Sequence, residues 1–385
     1  MKTTIPGRAD DWRLEYPRLD RAAGALAGAA MAACLARLPD SEIGALERPD
    51  ADGTGSSYLA WLVMTALRHL DDPRAVAKAV DTEAELAWAL ALRQAVEEGV
   101  LIPAASTSAY GPISAAWRAV TTTPVPRLDP ARRTFPCRHL VDAIRSAHAS
   151  GGPEAALYAG ALAGARWGVS AVPLEIQRRL ADILPLRRLV IGAVVAVRGP
   201  RPDQWPEVEC ASSLPFNRYA PFQVPHPHDP GVILCSLPYV PTATDAQAVV
   251  SLCQVGAGDM PAHLPARDTV EVWLADTTGL NSNLHFVLDQ AARAVATLRA
   301  EGKRVLLHCA ACQSRTPAVA AHYAVLARGV EVVTALREAI RAVGGHLNNA
   351  ELARTVAVLN GVELTDPAAA LFPDGMPEVT RHRLG

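Results

Sequence analysis

The sequence lacks the features that mark a membrane, secreted or nucleic-acid-binding protein. Aromatic residues make up only 5% of its 385 residues, and its charges nearly cancel to a formal net charge of −2. Without a basic excess, we do not expect a nucleic acid or an acidic membrane as a partner. Residues 1–20 have no apolar signal-peptide core, and the alanine-rich run 22–38 is too short and too weakly apolar to cross a bilayer. We therefore expect a cytoplasmic protein.

Cysteine is also sparse and irregularly placed. The seven cysteines show no spacing typical of a disulfide framework, and only Cys309 and Cys312 lie close together in the sequence. This usage fits a reducing compartment better than a secreted scaffold. Half of the residues are hydrophobic, and a chain of this length is too long for one ordinary core. We predict two domains.

The first half of the chain is rich in alanine and leucine at helical spacing. We predict an all-helical N-terminal domain over residues 1–190. Its helices are expected at Asp20–Leu38, Ser57–Leu70, Glu83–Glu97, Arg138–Ala149 and Glu154–Ala165.

From Leu189 onward the chain changes to short β-like runs separated by proline- and glycine-rich connections. We predict an α/β C-terminal domain over residues 191–385, with a central sheet flanked by helices and a proline-rich connecting segment at 199–230. Its strands are expected at Leu189–Arg198, Gly231–Ser236, Ala248–Cys253, Thr269–Ala275 and Arg304–Cys309.

One stretch of the second half combines a strand, a tight loop and a helix. The apolar run 305–307 leads to Cys309, as in a buried strand. The helix that follows has Thr316 as its expected N-cap and Pro317 at its first position. The loop 309–315 then directs backbone N–H groups to one point above a helix N-terminus. This arrangement predicts an anion site, with phosphate as the expected anion.

This stretch resembles the phosphate loop of the cysteine-dependent dual-specificity and tyrosine phosphatases, whose pattern is His-Cys-x5-Arg-Thr. The resemblance implies that the Cys309 thiolate is the nucleophile, supported by His308, and that Thr316 helps the thiolate leave the phospho-enzyme. The Arg315 fork would hold two phosphoryl oxygens in the transition state. The backbone that completes the phosphate cradle belongs to Ala310, Ala311, Cys312, Gln313, Ser314 and Arg315.

A general acid is expected on a loop that follows an earlier strand. Asp276 comes directly after the strand-like run 269–275 and precedes Cys309 by 33 residues, which leaves room for one helix at Asn283–Ala300. In the phosphatase family such an aspartate donates a proton to the leaving group and then accepts one from water. The alternative is a loop carboxylate that caps a turn at Thr277 or Thr278.

The sequence departs from the phosphatase pattern at Cys312, where the family usually has glycine. A side chain there would crowd the loop or force a different backbone angle, which bears on catalytic efficiency. Cys309 and Cys312 also form a Cys-x-x-Cys pair, so that a disulfide could regulate the nucleophile or be the main activity. A zinc site made by His308 and these two cysteines is a further alternative, although no second Cys/His pair accompanies them.

The N-terminal half resembles the all-helical ADP-ribosylglycohydrolase family in two Gly/Ala-rich runs, Asp20–Gly28 and Ala159–Gly168. Small residues at this density let helices approach closely. The resemblance implies a binuclear metal centre held by carboxylates, but the matching positions offer none. The aligned residues are Ala33, Thr54-Gly55-Ser56-Ser57 and Gly151-Gly152-Pro153-Glu154.

Three carboxylates lie at or near the second and third of these positions, namely Asp50, Asp52 and Glu154. They are either displaced ligands or solvated surface charges, and we favour the second interpretation. The N-terminal domain would then bind ADP-ribose or a protein without turnover. A surviving ADP-ribosyl hydrolase is the alternative.

Together, these patterns predict a phosphoric monoester hydrolase that acts on a phosphorylated protein or a small phosphate ester, with no cofactor and no metal. Several polar residues elsewhere are expected to be surface or capping groups. These are His226, His228, Arg341, His346, Asn348 and Asn349, whereas Cys210, Cys235 and Cys253 are expected to be buried small hydrophobes.

Overall fold

A computed structural model describes residues 11–101, 111–201, 221–345 and 347–377. Within these ranges the protein is rich in helix and carries a five-stranded mixed sheet in its C-terminal part. The chain divides into two compact units. The helical unit comprises Met1–Pro126, Pro136–Val172 and Arg179–Glu209, and the sheet unit comprises Arg127–Phe135, Pro173–Arg178 and Cys210–Gly385.

The described part of the helical unit is built from helices and their connections. One of its helices, α8 (Leu174–Leu180), begins in the segment Pro173–Arg178, which belongs to the sheet unit. All five predicted helical stretches match one helix or part of a longer one, to within a few residues at their ends. The helices are α1 (Asp11–Leu35), α2 (Asp40–Ala45), α3 (Gly55–Arg68), α4 (Pro73–Ala79), α5 (Glu83–Glu98), α6 (Pro112–Thr122), α7 (His139–Trp167), α8 (Leu174–Leu180) and α9 (Leu186–Arg198).

Helix α7 joins two stretches that the sequence separates. Gly152 has φ 75°, a left-handed conformation that suits glycine, and Pro153 follows it inside the helix. The two predicted helices Arg138–Ala149 and Glu154–Ala165 are therefore the two arms of one kinked helix.

The two Gly/Ala-rich runs pack against each other, because α1 and α7 cross where both carry glycine. Both runs were expected to allow close helix packing. A Cβ atom on Gly164 would lie 2.0 Å from the backbone oxygen of Gly24, and one on Gly160 would lie 2.4 Å from the backbone oxygen of Gly28. Only glycine allows the two backbones to approach this closely.

The strand predicted at Leu189–Arg198 is wrong, because this segment lies within helix α9. Its buried positions are Leu186, Leu189, Ala193 and Ala196, which are three or four residues apart, while Ile191 is 50% exposed. The run is rich in valine and isoleucine, which favour strands, but one apolar face at helical spacing packs in the core and decides the outcome.

The sheet has the strand order β1-β2-β5-β3-β4, in which β1 pairs antiparallel with β2 and all other neighbours pair parallel. Predictions for β2, β3 and β5 are confirmed, whereas β4 is shorter than the predicted run. The strands are β1 (Gln223–His226), β2 (Asp229–Ser236), β3 (Ala248–Ser251), β4 (Thr269–Glu271) and β5 (Val305–Cys309).

Helices α10 and α11 pack against each other and against the central strands. Alternate residues of the strands, such as Ile233, Val249 and Leu306, form a separate apolar cluster with the segment 240–246. The inner strands are thus buried on both faces, as is usual for parallel strands. The remaining helices are α10 (Leu284–Ala300), α11 (Arg315–Arg328), α12 (Val332–Ala342), α13 (Ala350–Leu359) and α14 (Pro367–Leu371).

Strand β1 lies in the stretch predicted as a connecting segment, of which residues 202–220 fall outside the described ranges. His226 was expected at the surface, but it is only 2% exposed and its Nε2 lies 3.0 Å from the Ala320 oxygen. His228 is half-buried, and its Nε2 lies 2.9 Å from Glu338 Oε2. The prediction for both histidines is wrong, because Pro225 does not prevent pairing at a sheet edge.

A buried carboxylate ties the start of β2 to α10 and α11. Asp229 is 2% exposed and accepts hydrogen bonds from Arg299 Nε at 2.9 Å, Tyr323 Oη at 2.5 Å, Arg328 Nη2 at 2.5 Å and Gly231 N at 3.0 Å. Burial alone would raise the pKa of Asp229, but these donors together hold it well below its usual range.

Candidate active site

Cys309 is the last residue of β5, the middle strand of the sheet, and it is 1% exposed. The preceding residue, His308, is fully buried and its Nε2 lies 2.6 Å from Ser251 Oγ on the neighbouring strand β3. Burial lowers the pKa of His308 to about 3. The imidazole is therefore neutral at physiological pH and serves as a hydrogen-bonding anchor for the end of β5.

The loop after Cys309 runs directly into α11, as predicted. Leu237 N donates a hydrogen bond to the Ala310 oxygen at 3.1 Å, which fixes the first loop residue. The helix begins at Arg315, and Ser314 occupies the N-cap position without a side-chain capping bond. The prediction that Thr316 caps this helix is wrong, because Thr316 already lies in its first turn.

The side chain of Thr316 is completely buried, and its Oγ1 has no hydrogen-bond partner among the described residues. Pro317 consequently stands at the third helical position rather than the first. A buried hydroxyl without a partner costs about 1–3 kcal/mol. Its position beside the loop leaves it available to a group bound there.

Cys312 adopts φ 56°, in the left-handed region, and is fully buried. This is the conformation that glycine favours, so the side chain has not forced the loop into a different backbone angle. Such a conformation costs a non-glycine residue about 1–2 kcal/mol. The loop therefore keeps a glycine-like path with a cysteine in it.

None of the six cysteines in the described part of the chain forms a disulfide, and Cys235 and Cys253 are buried as predicted. Cys210 lies outside the described residues. No group of three or more His, Cys, Asp or Glu side chains in the described ranges could hold a metal ion, which leaves the alternative of zinc at His308, Cys309 and Cys312 without support.

Arg315 is held at the ends of two neighbouring strands. Its Nη1 donates hydrogen bonds to the Leu252 oxygen at 2.7 Å and to the Leu274 oxygen at 3.0 Å. These carbonyls belong to residues that follow β3 and β4, and the guanidinium side chain is only 12% exposed. The arginine is thus oriented by the backbone before any ligand arrives.

Asp276 faces this arginine, with its Oδ2 3.8 Å from Arg315 Nε. Its loop is closed by Asn281, whose Oδ1 accepts from Ala275 N at 2.8 Å and whose Nδ2 donates to the Ala275 oxygen at 3.0 Å. The Asp276 side chain is 30% exposed, yet its Oδ1 is buried and accepts no hydrogen bond from any residue that the structure describes. The predicted acid and the arginine of the predicted phosphate loop therefore lie close together in the structure.

Burial raises the pKa of Asp276, while Arg315, Ser314 and Asn349 act in the opposite direction without cancelling the effect. Ser314 Oγ is buried and makes no hydrogen bond to another described residue. A carboxyl group with a raised pKa holds its proton to a higher pH than a solvated one. That property suits a group that donates a proton.

The sequence alone did not single out Asn349 as part of this site. The prediction that it caps a helix is confirmed, since its Oδ1 accepts from Glu351 N at 3.2 Å at the start of α13. The expectation of a surface position is wrong, because Asn349 is 6% exposed. Arg341 and Asn348 are exposed as predicted, and His346 lies outside the described residues.

A small cleft adjoins the loop on the side of α12 and α13. Gln313 and Ser314 of the loop line it together with Leu336, Asn349 and Leu352. Its walls are mainly apolar, and the polar atoms come from the loop and from Asn349.

In the helical unit, the three carboxylates Asp50, Asp52 and Glu154 are all exposed. A metal centre needs its ligands gathered in fixed number and geometry, and exposed single charges do not supply this. Their interpretation as solvated charges agrees with their positions.

Comparison of the chain with protein-family models, with curated proteins and with solved structures gave no match. Among the residues described, none of the helices combines the length and apolar character needed to cross a membrane. A function for this chain must therefore be inferred from the site itself.

Proposed function

We propose that the sheet unit is a cysteine-dependent phosphatase, similar in fold to the dual-specificity phosphatases, that hydrolyses phosphate monoesters. One observation carries the proposal. Cys309 ends the middle strand, Arg315 opens the helix after a five-residue loop, and the carboxyl group of Asp276 lies 3.8 Å from that arginine. Nucleophile, oxyanion-binding fork and acid are the three groups that this chemistry requires.

In the first step, the Cys309 sulfur attacks the phosphorus atom, and the bond between phosphorus and the ester oxygen breaks. Asp276 transfers its proton to that oxygen, so that an alcohol or phenol leaves. The backbone N–H groups of the loop and the N-terminus of α11 stabilise the phosphoryl charge. Arg315 binds two equatorial oxygens with its planar fork.

In the second step, water attacks the phosphorus atom of the phospho-cysteine, and the sulfur–phosphorus bond breaks. Asp276, now ionised, accepts the proton of the water. Thr316 donates a hydrogen bond to the departing thiolate, which is the role that its unpartnered hydroxyl suits. The products are inorganic phosphate and the free thiolate.

The substrate class is a phosphate monoester on a protein or on a small molecule. This mechanism uses side chains and backbone of the sheet unit alone and is proposed to need no cofactor.

Hydrolysis of p-nitrophenyl phosphate in the presence of a metal chelator tests the proposal. We expect turnover by the full chain, loss of turnover in Cys309→Ser, and at least about a hundredfold loss in Asp276→Asn. Cys34→Ser makes the same substitution at a buried cysteine of the helical unit and serves as the control. Turnover that survives in Cys309→Ser would disprove the proposed nucleophile.

The alternative expected from the sequence, ADP-ribosyl hydrolysis by the helical unit, has no comparable observation in its favour. The carboxylates that it would use are exposed, and no metal-holding group occurs in the described ranges. Binding of ADP-ribose or a protein without turnover remains our proposal for this unit. Calorimetric titration of the full chain with ADP-ribose tests the first of these ligands.

A further inference from the structure

We propose that Asn349 is a positioning residue of this reaction: its side-chain amide orients the Asp276 carboxyl group by hydrogen bonding. The inference deepens the proposed function and depends on it for its catalytic meaning. It concerns a residue that lies 73 positions beyond Asp276 in the sequence and that only the fold brings to the site.

The side-chain oxygen of Asn349 accepts hydrogen bonds from two other residues. Besides capping α13 through Glu351 N, it accepts a hydrogen bond from Thr278 Oγ1 at 3.2 Å. Thr278 belongs to the same loop as Asp276. A second bond fixes this loop, because Gly279 N donates to Glu351 Oε2 at 3.0 Å. The start of α13 therefore holds the loop of Asp276 at two points.

The nitrogen of the same amide is buried and has no hydrogen-bond partner among the described residues. Asp276 Oδ1 and Ser314 Oγ share this property. An amide N–H₂ group and a hydroxyl are donors, and a carboxylate oxygen is an acceptor. The three atoms are chemically complementary, and Asn349 and Ser314 both lie close enough to Asp276 to lower its pKa.

An ordinary helix cap does not explain this arrangement. Serine and aspartate cap helices about as well as asparagine, and each has an oxygen that could accept from Thr278. Only asparagine adds an N–H₂ group directed away from the cap. Both Asn349 and Ser314 are more than nine-tenths buried, at 6% and 8% exposure, so the unpaired donors lie in the site and not in bulk solvent.

Two charged residues of the described chain face Asp276 or its loop. Arg315 approaches its Oδ2 from α11, and Glu351 faces the same loop from α13. Arg315 binds the phosphoryl group in the proposed mechanism. Asn349 is then the neutral donor that can keep the carboxyl group aimed at the leaving oxygen while Arg315 is occupied.

Two variants of Asn349 test the inference without removing the cap. Asn349→Asp has nearly the same shape and keeps the capping oxygen, but it places a second carboxylate oxygen towards Asp276. Asn349→Ser keeps a capping hydroxyl and removes the donor. If Asn349 only caps α13, both variants behave like the parent protein.

The first measurement needs no activity. Carbon-13 NMR titration of the Asp276 carboxyl group in the full-length protein should give a higher pKa in Asn349→Ser than in the parent, because a donor to the ionised form is lost. The pKa should be higher still in Asn349→Asp, because a like charge is added. An unchanged titration of Asp276 in both variants would overturn the inference.

The second measurement uses aryl phosphates in the presence of a chelator. We expect kcat of Asn349→Asp to fall about tenfold with KM nearly unchanged, which corresponds to about 1.4 kcal/mol. The fall should be larger for phenyl phosphate than for p-nitrophenyl phosphate, because a poorer leaving group depends more on the acid. In an Asp276→Asn background, Asn349→Asp should cause no further loss.

The two proposals fail in different ways. Absence of Cys309-dependent turnover in the parent protein defeats the phosphatase proposal, whereas the NMR titration still decides whether Asn349 acts on Asp276. If turnover depends on Cys309 but Asn349→Asp lowers it equally in the parent and in the Asp276→Asn background, the positioning role is disproved. The phosphatase proposal then still stands.

Discussion

Replacing Gly164 by alanine tests how the helical unit is held together. In an unconstrained helix this change is stabilising by about 1 kcal/mol, because alanine loses less backbone entropy than glycine. Here the new Cβ would lie 2.0 Å from the Gly24 oxygen and 2.8 Å from the Gly24 carbonyl carbon. Both atoms belong to the backbone, so no side-chain rotation relieves the contact, and α1 and α7 must move apart.

Overpacking of this kind costs typically about 1–3 kcal/mol and occasionally more. Since the obstacle is backbone, we expect a value near the upper end, about 3 kcal/mol net. With a urea dependence of about 2 kcal/mol per molar, the unfolding midpoint of the helical unit should fall by about 1.5 M. Far-UV circular dichroism reports this directly, because helix dominates the unit.

The matched control is Gly192→Ala in α9. A Cβ at Gly192 meets nothing within 4 Å, so this variant should gain stability by about 0.5–1 kcal/mol. The reasoning is refuted if Gly164→Ala unfolds at the same urea concentration as the parent, or if the two alanine variants shift the midpoint alike.

Three further predictions concern the sheet unit. In Arg315→Lys, we expect turnover of p-nitrophenyl phosphate to fall at least about a hundredfold in steady-state assays, because an ammonium cannot form the bidentate fork; activity near that of the parent would contradict it. Thr316→Val should fold normally but release p-nitrophenol in a burst followed by slow turnover in stopped-flow traces, because breakdown of the phospho-cysteine loses its donor; a single slow phase would count against this role. Asp229→Asn should lower the free energy of unfolding by about 2–3 kcal/mol, since it removes a buried charge that accepts hydrogen bonds from Arg299 and Arg328, whose side chains are 22% and 41% exposed. Because the pKa of Asp229 is lowered in the folded state, its contribution is present above its unfolded value of about 3.9 and is lost as the pH falls below that. Urea titrations at a series of pH values should therefore show that the free energy of unfolding falls less steeply with decreasing pH in this variant than in the parent. Parallel curves for the two proteins would contradict this expectation.

The strand, loop and helix around Cys309 could be predicted because most local signals agreed, although the helix begins at Arg315, before the cap that was predicted at Thr316. An apolar run, a tight loop and a well-marked helix stop at Gly329 pointed to the same structure, and Gly329 indeed ends α11 in the left-handed conformation. The position of Asp276 near Arg315 could also be predicted, because its loop follows a strand of the same sheet, although β4 ends at Glu271, five residues before it.

Other features depend on residues that are distant in the sequence, so they could not be predicted from local sequence patterns. Strand preference favoured Leu189–Arg198 as a strand, but burial at helical spacing overrode it. His226 and Asn349 resembled surface residues in polar, proline- or glycine-containing stretches. Each is buried by elements about 70 to 100 residues away in the chain, as the contacts of His226 with Ala320 and of Asn349 with Thr278 show.

The position of β5 between β2 and β3 has a consequence for the order in which the protein can fold. Strands β2 and β3 are synthesised long before β5, yet neither pairs with the other in the finished sheet. Until Val305–Cys309 has left the ribosome, both strands keep an unpaired edge, which is a template for association with other chains. The segment that carries the proposed nucleophile therefore also joins the two halves of the sheet. A chain that stops before it would expose two unpaired strand edges and would lack the proposed catalytic loop.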